Sequence, residues 1–207
     1  MAQKKISVIM PCFNVSHFVD RCMEALERQT IGMDSLEIIM INDASEDATL
    51  GKLLLWEMKY PESIIVLPLQ ERIMQGAARN IARQYCSGEY IAYLDADDWI
   101  LPTCYERSYK AAKENDADIV NYLYKRTFKG PEETDDDIRS GIPNRFAVIH
   151  NPVERLNFYA NNCPMVKGCW DKLYRRSFVE ENNFLFAEGV YDEESLFTIP
   201  SYIDRKS

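Results

Sequence analysis

The chain has little basic charge and no long hydrophobic run. Its 207 residues include 24 Lys and Arg against 33 Asp and Glu, which gives a net charge of −9. This balance argues against nucleic acid or an anionic membrane as the main partner, because both repel an acidic surface. No segment approaches the ~18 consecutive apolar residues of a membrane-spanning helix. We therefore expect no nucleic-acid partner and no transmembrane segment.

Cysteine and histidine patterns that mark disulfide frameworks or metal sites are also missing. The six cysteines include no Cys-x-x-Cys pair and lie mostly in apolar patterns, so we predict reduced, buried thiols. His17 and His150 stand alone and are interpreted as solvated or core residues. The N-terminal residues run directly into a strand-like segment and contain no signal-peptide apolar region. We expect a cytoplasmic protein, with peripheral association at the inner face of the membrane left open.

Two phosphate-binding signatures are absent as well. No Gly-x-Gly-x-x-Gly follows the first apolar segment, and no Gly-x4-Gly-Lys-Ser/Thr occurs anywhere. Their absence argues against dinucleotide oxidoreductases and P-loop enzymes.

Apolar, β-branched segments alternate with helical patterns in the first part of the chain. Strands are predicted at residues 6–10, 36–41, 63–67, 90–94 and 119–124. Continuous apolar runs of this kind suit parallel strands that are covered on both faces. Helices are predicted at residues 18–29, 45–58 with Ser45 as cap, 76–86 closed by Gly88, and 102–115. This alternation predicts a doubly wound α/β sheet.

The pattern changes after residue 125. Residues 130–141 are too charged to pack and are predicted to form an exposed loop. Further helices are predicted at residues 152–160 and 176–182, and a last one begins near residue 192.

Three carboxylates, Asp95, Asp97 and Asp98, follow the fourth predicted strand. Clustered carboxylates repel one another and are costly to desolvate, so they need water or a cation. Mg²⁺ and Mn²⁺ sites typically use one or two carboxylates plus substrate phosphates. The alternative is an acidic helix start, capped by Asp97 or Asp98. Ligands bind at the carboxyl ends of parallel strands, where Asp43 after the second strand shares the rim, and this favours a metal and ligand site.

Several segments, taken in order, resemble the family 2 glycosyltransferases, which have the GT-A fold. The resemblance covers residues 6 to 197. The segments that carry it are Pro11-Cys-Phe13-Asn14, Asn42-Asp43-Ala-Ser45, Gly76-Ala-Ala-Arg79-Asn80, Asp95-Ala-Asp97-Asp98 and Cys169-Trp170-Asp-Lys172.

The resemblance implies a GT-A type, doubly wound, mostly parallel central sheet flanked by helices, with a smaller C-terminal acceptor-side region. Residues 1–125 are expected to form the nucleotide-sugar (donor) binding part. Residues 126–207 are expected to form the acceptor-side part of the same domain, truncated at its C-terminus. The implied activity is transfer of a sugar from a nucleotide diphosphate donor, preferably a UDP-sugar, to an acceptor hydroxyl with inversion. The implied acceptor is a glycan or lipid-linked glycan in polysaccharide or surface-glycan biosynthesis.

The resemblance also implies roles for individual residues. Asp97 is the first choice as ligand of Mn²⁺ or Mg²⁺, and Asp98 assists. Phe13 is expected near the base, Asp43 at its imide NH, and Asp95 near the ribose or the sugar. Arg79 is expected at the base or the diphosphate, or else as a surface arginine. The full set of expected donor-binding residues is Pro11, Phe13, Asn14, Asp43, Arg79, Asp95 and Asp97.

Inversion requires a general base that takes the proton of the acceptor hydroxyl. Family members carry it in a Glu-Asp pair after Glu-Gly, and here Glu188-Gly189 precedes Asp192-Glu193-Glu194. Glu thus stands where Asp is expected, and the candidates are Glu194, Glu193 and Asp192, in that order. The alternative is an acidic helix N-terminus favoured by the helix dipole.

Two residues are weaker candidates for the acceptor side. Trp170 is expected either at the acceptor or in the core, and Lys172 either at the acceptor or diphosphate or in a structural salt bridge. Two other functions stay open: an inactive nucleotide-sugar binding module, and a nucleotidyltransferase. The latter needs a Gly-rich, basic loop after its first strand, which Pro11-Cys-Phe13-Asn14 does not offer.

Overall fold

The computed structural model describes residues 3–124 and 168–203, together with the single residues 149, 153, 154, 157 and 161. The strands in these ranges are β1 (Ile6–Cys12), β2 (Leu36–Asn42), β3 (Ile64–Pro68), β4 (Tyr90–Tyr93), β5 (Ile119–Asn121) and β6 (Lys172–Arg175). The helices are α1 (Val19–Glu27), α2 (Thr49–Lys59), α3 (Met74–Arg83), α4 (Cys104–Glu114), α5 (Arg176–Glu181) and α6 (Glu193–Ile203). A short 3₁₀ turn (Met33–Ser35) precedes β2.

The six strands form one sheet in the order β3-β2-β1-β4-β6-β5. Strands β1 to β4 are mutually parallel, whereas β6 runs antiparallel to both of its neighbours, β4 and β5. The sheet is therefore mixed and mostly parallel, with helices on both faces. This confirms the predicted fold class.

The two central strands are buried along their whole length. All seven residues of β1 and all seven of β2 are buried, because both faces of the sheet are covered. Side chains alternate between the faces with period 2. On one face Met10 belongs to a core cluster with Leu26 of α1 and Tyr105 of α4. On the other face Ile9 belongs to a cluster with Ala78 of α3 and Phe197 of α6.

The predicted elements differ from the observed ones mainly at their ends. Ser45 does not cap α2, which begins at Thr49; its hydroxyl instead accepts a hydrogen bond from the Asn14 backbone N–H (3.1 Å). Helix α3 ends before Gly88, which lies tightly against Ser7: a Cβ at Gly88 would be 2.6 Å from the Ser7 nitrogen. Strand β6 was not predicted. The predicted loop 130–141 and most of the predicted helix 152–160 lie outside the described residues.

The cysteines for which the structure gives side chains are free thiols. Cys12, Cys22 and Cys169 are buried, and Cys86 and Cys104 are half-buried. This agrees with the predicted reduced thiols for these five residues.

The topology gathers several chain segments at one edge of the sheet. The register pairs Cys12 with Asn42 and Ile9 with Tyr93, so β1, β2 and β4 end at the same edge. Strand β6 begins there, because it is antiparallel to β4 and Leu173 lies opposite Ala92. Residues 13–16, 43–48, 95–99 and 168–171 are therefore neighbours along this rim.

Candidate active site

The acidic triplet leaves β4 at this rim. A turn in which the Asp98 backbone N–H donates to the Asp95 carbonyl (3.0 Å) separates the three carboxylates. Asp95 is half-buried and forms an ion pair with Arg79 (2.8 Å). Asp97 and Asp98 are exposed, and their carboxylates make no hydrogen bond or ion pair with any described residue. Two of the three carboxylates are thus available to a ligand.

Two carboxyls of the acidic triplet, those of Asp95 and Asp98, have raised pKa values. Although Asp98 is exposed, the protein around its carboxyl partly desolvates it, and this desolvation, reinforced by the charges of Asp95, Asp97 and Glu194, raises its pKa to about 6. Burial also raises the pKa of Asp95, because it outweighs the opposing effect of Arg79. The carboxylates of Asp97 and Asp98, which form no ion pair among the described residues, are a favourable environment for a divalent ion.

The residues fit a metal ion that is shared with a substrate. Within the described ranges no three His, Cys, Asp or Glu side chains are gathered closely enough to hold a metal by themselves. Mg²⁺ usually binds through one or two carboxylates, and phosphate oxygens and water complete its shell. Asp97 and Asp98 match this donor set.

The turn after β1 is tied to the turn after β2. The Asn14 side chain accepts a hydrogen bond from the Glu46 backbone N–H (2.9 Å), and Asn14 itself has a positive φ of 51°. Pro11 is buried within β1. The half-buried ring of Phe13 is covered by the Arg72 guanidinium at 3.8 Å from its centroid. Arg72 was not predicted as a site residue, although the segment between β3 and α3 follows a parallel strand and so belongs to the same rim.

Asp43 braces the segment that carries Arg72. Its two carboxylate oxygens accept hydrogen bonds from the backbone N–H groups of Ile73 (2.7 Å) and Met74 (3.0 Å), and its side chain is buried. Each carboxylate oxygen has a second lone pair, so Asp43 can still accept a bond from a ligand. The structure therefore adds a structural role to the predicted donor contact.

Arg79 is placed differently from the prediction. Its side chain has 0% exposure, which excludes a surface arginine and leaves no atom open to a donor. The Nη1 atom contacts Glu193 (2.8 Å), and Nη2 contacts Asp95 (2.8 Å) and Glu194 (3.2 Å). The Gln75 side chain accepts a weaker bond from Nη2 at 3.3 Å. Arg79 thus connects the acidic rim with the predicted base residues, which lie more than a hundred positions beyond Arg79 in the sequence.

The three candidate bases have three different environments. Glu193 is buried and bonded to Arg79. Asp192 is exposed, has a positive φ of 64° just before α6, and accepts a hydrogen bond from the Ser195 hydroxyl (2.9 Å). Glu194 is half-buried and accepts a hydrogen bond from the Cys169 thiol (3.4 Å). Burial raises the pKa of Glu194, since it outweighs the effect of Arg79.

Helix α3 holds the chain that leads to α6. The Asn80 side chain donates to the Phe186 carbonyl (2.9 Å) and accepts from the Phe186 backbone N–H (2.9 Å). One turn earlier, Gly76 lies so close to the Ala187 carbonyl that a Cβ at Gly76 would be 2.4 Å from its oxygen. This close packing places Glu193 and Glu194 at the rim.

A family comparison agrees with this geometry. The model described as "Glycosyl transferase family 2" matches residues 7–182 of the chain. The chain belongs to glycosyltransferase family 2.

Similar proteins of this family are longer than the chain. The poly(ribitol-phosphate) beta-glucosyltransferase of Bacillus spizizenii is 29% identical, and the match covers 98% of this chain and 30% of the relative. The uncharacterized glycosyltransferase YibD of Escherichia coli is 30% identical, with 94% of this chain and 55% of the relative covered. The poly(ribitol-phosphate) beta-N-acetylglucosaminyltransferase TarP of Staphylococcus aureus is 27% identical, with 99% and 59% covered. The chain thus spans between about a third and three fifths of these relatives.

The fold is shared with a solved structure from Staphylococcus aureus. S. aureus TarS 1–349, crystallised in complex with UDP-GlcNAc, superposes with a TM-score of 0.75 at 21% identity. The superposition covers 96% of this chain and 53% of the TarS chain.

The structure places the two predicted acceptor-side residues of this family 2 chain, Lys172 and Trp170, in different environments. Lys172 has 0% exposure and is bound by Asp171 and the Gly168 carbonyl, so it forms the structural salt bridge and reaches no acceptor. Trp170 is half-buried and packs edge-to-face on Tyr124, with ring centroids 4.6 Å apart. Its role at an acceptor stays a prediction.

No helix in the described part of the chain has both the length and the apolar character that crossing a membrane would require.

Proposed function

We propose that this chain forms the catalytic part of a metal-dependent, inverting glycosyltransferase that uses a UDP-sugar. The observation that carries the proposal is the single rim on which Asp97 and Asp98 lie open beside Asp95, with Glu194 joined to the same cluster through Arg79. An open metal-binding pair and a base candidate side by side are what sugar transfer from a nucleotide diphosphate requires.

The donor end of the proposed site is formed by the turns after β1 and β2. The aromatic ring of Phe13, with the Arg72 guanidinium over it, is the proposed neighbour of the base. Asp43 keeps free lone pairs on both oxygens and accepts from an imide NH, which uracil has and adenine lacks. These contacts support a uridine nucleotide.

The chemical step uses the other end of the rim. Asp97 and Asp98 would hold a divalent ion, which when bound would supply Lewis-acid stabilisation of the diphosphate charge. Glu194 takes the proton of the acceptor hydroxyl, whose oxygen forms the new bond to the anomeric carbon. The bond from that carbon to the diphosphate oxygen breaks, and its electron pair leaves with UDP. A raised pKa makes Glu194 a stronger base than an ordinary carboxylate.

The acceptor is proposed from the relatives. Two of them are named for transfer to poly(ribitol phosphate), which supports a cell-surface polymer or another glycan as acceptor. The cytoplasmic location and the division into a donor part (1–125) and an acceptor-side part (126–207) stay predictions.

The test measures turnover and binding separately. The chain is incubated with UDP-, GDP- and dTDP-sugars and a panel of glycan acceptors, with Mn²⁺, Mg²⁺ or EDTA, and nucleotide release is followed. We expect UDP release that depends on metal and acceptor, and a product of inverted anomeric configuration by NMR. Release of pyrophosphate would instead indicate a nucleotidyltransferase, and UDP–Mn²⁺ binding without turnover would indicate a binding module.

The metal assignment has its own control. Asp97→Ala should abolish the Mn²⁺-dependent part of UDP binding in calorimetry. Asp34→Ala removes another exposed carboxylate, which lies before β2 at the opposite edge of the sheet, and should leave UDP binding unchanged. Equal UDP binding by Asp97→Ala and the wild type, with and without Mn²⁺, would refute the assignment.

A further inference from the structure

The buried guanidinium of Arg79 contacts carboxylates from two distant parts of the chain. Asp95 comes from the turn after β4, whereas Glu193 and Glu194 come from the first turn of α6. The ion pairs measure 2.8, 2.8 and 3.2 Å, and the Arg79 side chain is fully buried. These buried contacts with three carboxylates differ from a solvent-exposed surface ion pair, which involves one partner and contributes little.

The contacts are divided unequally between the two terminal nitrogens. Glu193 alone takes Nη1, and only 11% of its side chain is exposed. Asp95 and Glu194 share Nη2, with 26% and 19% of their side chains exposed. Because the guanidinium is planar and rigid, the bond to Glu193 fixes the direction in which Nη2 points. Nη2 in turn fixes Asp95 and Glu194 relative to each other.

The charges make this arrangement dependent on Arg79. Three half-buried or buried carboxylates within reach of one another are repulsive, and removing their common cation leaves buried charge uncompensated. The Phe186 ring, whose centroid lies 5.2 Å from the guanidinium carbon, and the close packing of Gly76 against Ala187 border this group of charges.

We propose that Arg79 is a positioning residue. Glu193 anchors its guanidinium, which holds the side chain of the base Glu194 at a fixed position relative to Asp95 on the donor side. This inference rests on the proposed function and deepens it. It gives the two neighbouring glutamates different roles: Glu193 orients Arg79, and Glu194 takes the proton of the acceptor hydroxyl. Arg79 touches no substrate and acts only through the carboxylates that it holds.

The decisive test is a double-mutant cycle between Arg79 and Glu194. Arg79→Met should lower kcat about 100-fold, because a misplacement of about 1 Å costs that much. The KM for the donor and the affinity for UDP with Mn²⁺, measured by calorimetry, should change less than about threefold, since Asp97 and Asp98 are untouched. In a Glu194→Gln background, Arg79→Met should add less than about threefold to the loss in kcat, because residues that act as one unit are not additive.

Two further variants separate positioning from charge and from folding. Arg79→Lys keeps the positive charge but lacks the planar, two-pronged guanidinium. It should therefore be more stable than Arg79→Met, while its kcat stays at least about tenfold below that of the wild type. Glu193→Gln weakens the anchor but leaves both Arg79 and Glu194, and it should lower kcat with unchanged UDP binding. If Arg79→Met fails to fold, Glu193→Gln still tests the positioning role.

Arg83→Met is the matched control. Arg83 lies on the same helix one turn later and donates to the Phe184 carbonyl, but it makes no carboxylate contact among the described residues. It should cost stability without the selective loss of kcat.

The outcomes distinguish this inference from the proposed function. No turnover by the wild type with any donor would overturn both. Wild-type turnover with independent, multiplicative losses for Arg79→Met and Glu194→Gln would overturn the positioning role alone. So would full recovery of kcat by Arg79→Lys, or a loss in Arg83→Met equal to that in Arg79→Met.

Discussion

Gly76 is the position where a single methyl group should separate stability from activity. A Cβ added there would lie 2.4 Å from the Ala187 carbonyl oxygen and 3.1 Å from Cγ of Glu193. The nearer atom belongs to the backbone and cannot rotate away. Helix α3 and the segment before α6 must therefore move apart, by roughly 1 Å if an ordinary contact is to be restored.

The expected change in stability is small because two effects oppose each other. Overpacking a close contact costs about 1–3 kcal/mol. Alanine is favoured over glycine inside a helix by about 1 kcal/mol. The net loss for Gly76→Ala should therefore lie between about 0 and 2 kcal/mol.

The expected change in activity is larger. The displaced segment carries Glu193 and Glu194, so the proposed base, Glu194, should move by a distance similar to this separation. A misplacement of about 1 Å corresponds to a loss of about 100-fold in kcat. Gly76→Ala should thus fold almost normally and turn over poorly.

The assay combines urea unfolding followed by circular dichroism with steady-state UDP release. Gly51→Ala is the matched control, because Gly51 lies inside α2 and a Cβ there meets no atom within 4 Å. It should be stabilised by about 1 kcal/mol with unchanged kcat. If Gly76→Ala behaved in the same way, the close approach and its catalytic consequence would both be refuted.

Two further predictions concern stability. Against the effect of burial, hydrogen bonds from Thr49 and Ser16 lower the pKa of Asp47, whose carboxylate accepts their backbone N–H groups at 2.9 and 3.2 Å. Asp47→Ala should cost about 1 kcal/mol at neutral pH. The difference from the wild type should persist above about pH 4 and shrink as the pH falls below that value towards the lowered pKa, as urea titrations from pH 7 to 2 would reveal. Lys172→Met leaves a buried carboxylate unpaired and should cost about 3–5 kcal/mol in urea unfolding. The same change at the exposed Lys110, paired with Glu114 at 3.7 Å, should cost less than about 1 kcal/mol, and equal costs would contradict the burial argument.

The elements that depend on the local order of apolar and polar residues could be predicted from the sequence. Residues 6–10 and 36–41 are apolar except for Ser7 and Glu37, and β-branched runs of this length suit a strand covered on both faces. The rim position of Asp43 and Asp95 followed from the rule that parallel strands end at one edge. These inferences need no knowledge of long-range contacts.

The parts that depend on long-range contacts were not predictable. Nothing near Arg79 in the sequence indicates that Glu193 lies 2.8 Å away, so the burial of Arg79 and its contacts with carboxylates were missed. The contact of Arg72 with Phe13 joins two turns for the same reason. Strand β6 has only four residues, with a cation at each end, and its strand character comes from its neighbours β4 and β5.

The place of β6 in the sheet has a consequence for synthesis of the chain. Strand β6 joins β5 to the sheet, but β5 leaves the ribosome roughly 50 residues before β6 does. At 5–20 residues per second, the delay between the two strands amounts to some seconds. During that interval β4 presents an unpaired edge, which is a template for wrong pairing with another chain. The nascent protein should therefore depend most on chaperones between the emergence of Asn121 and that of Arg175.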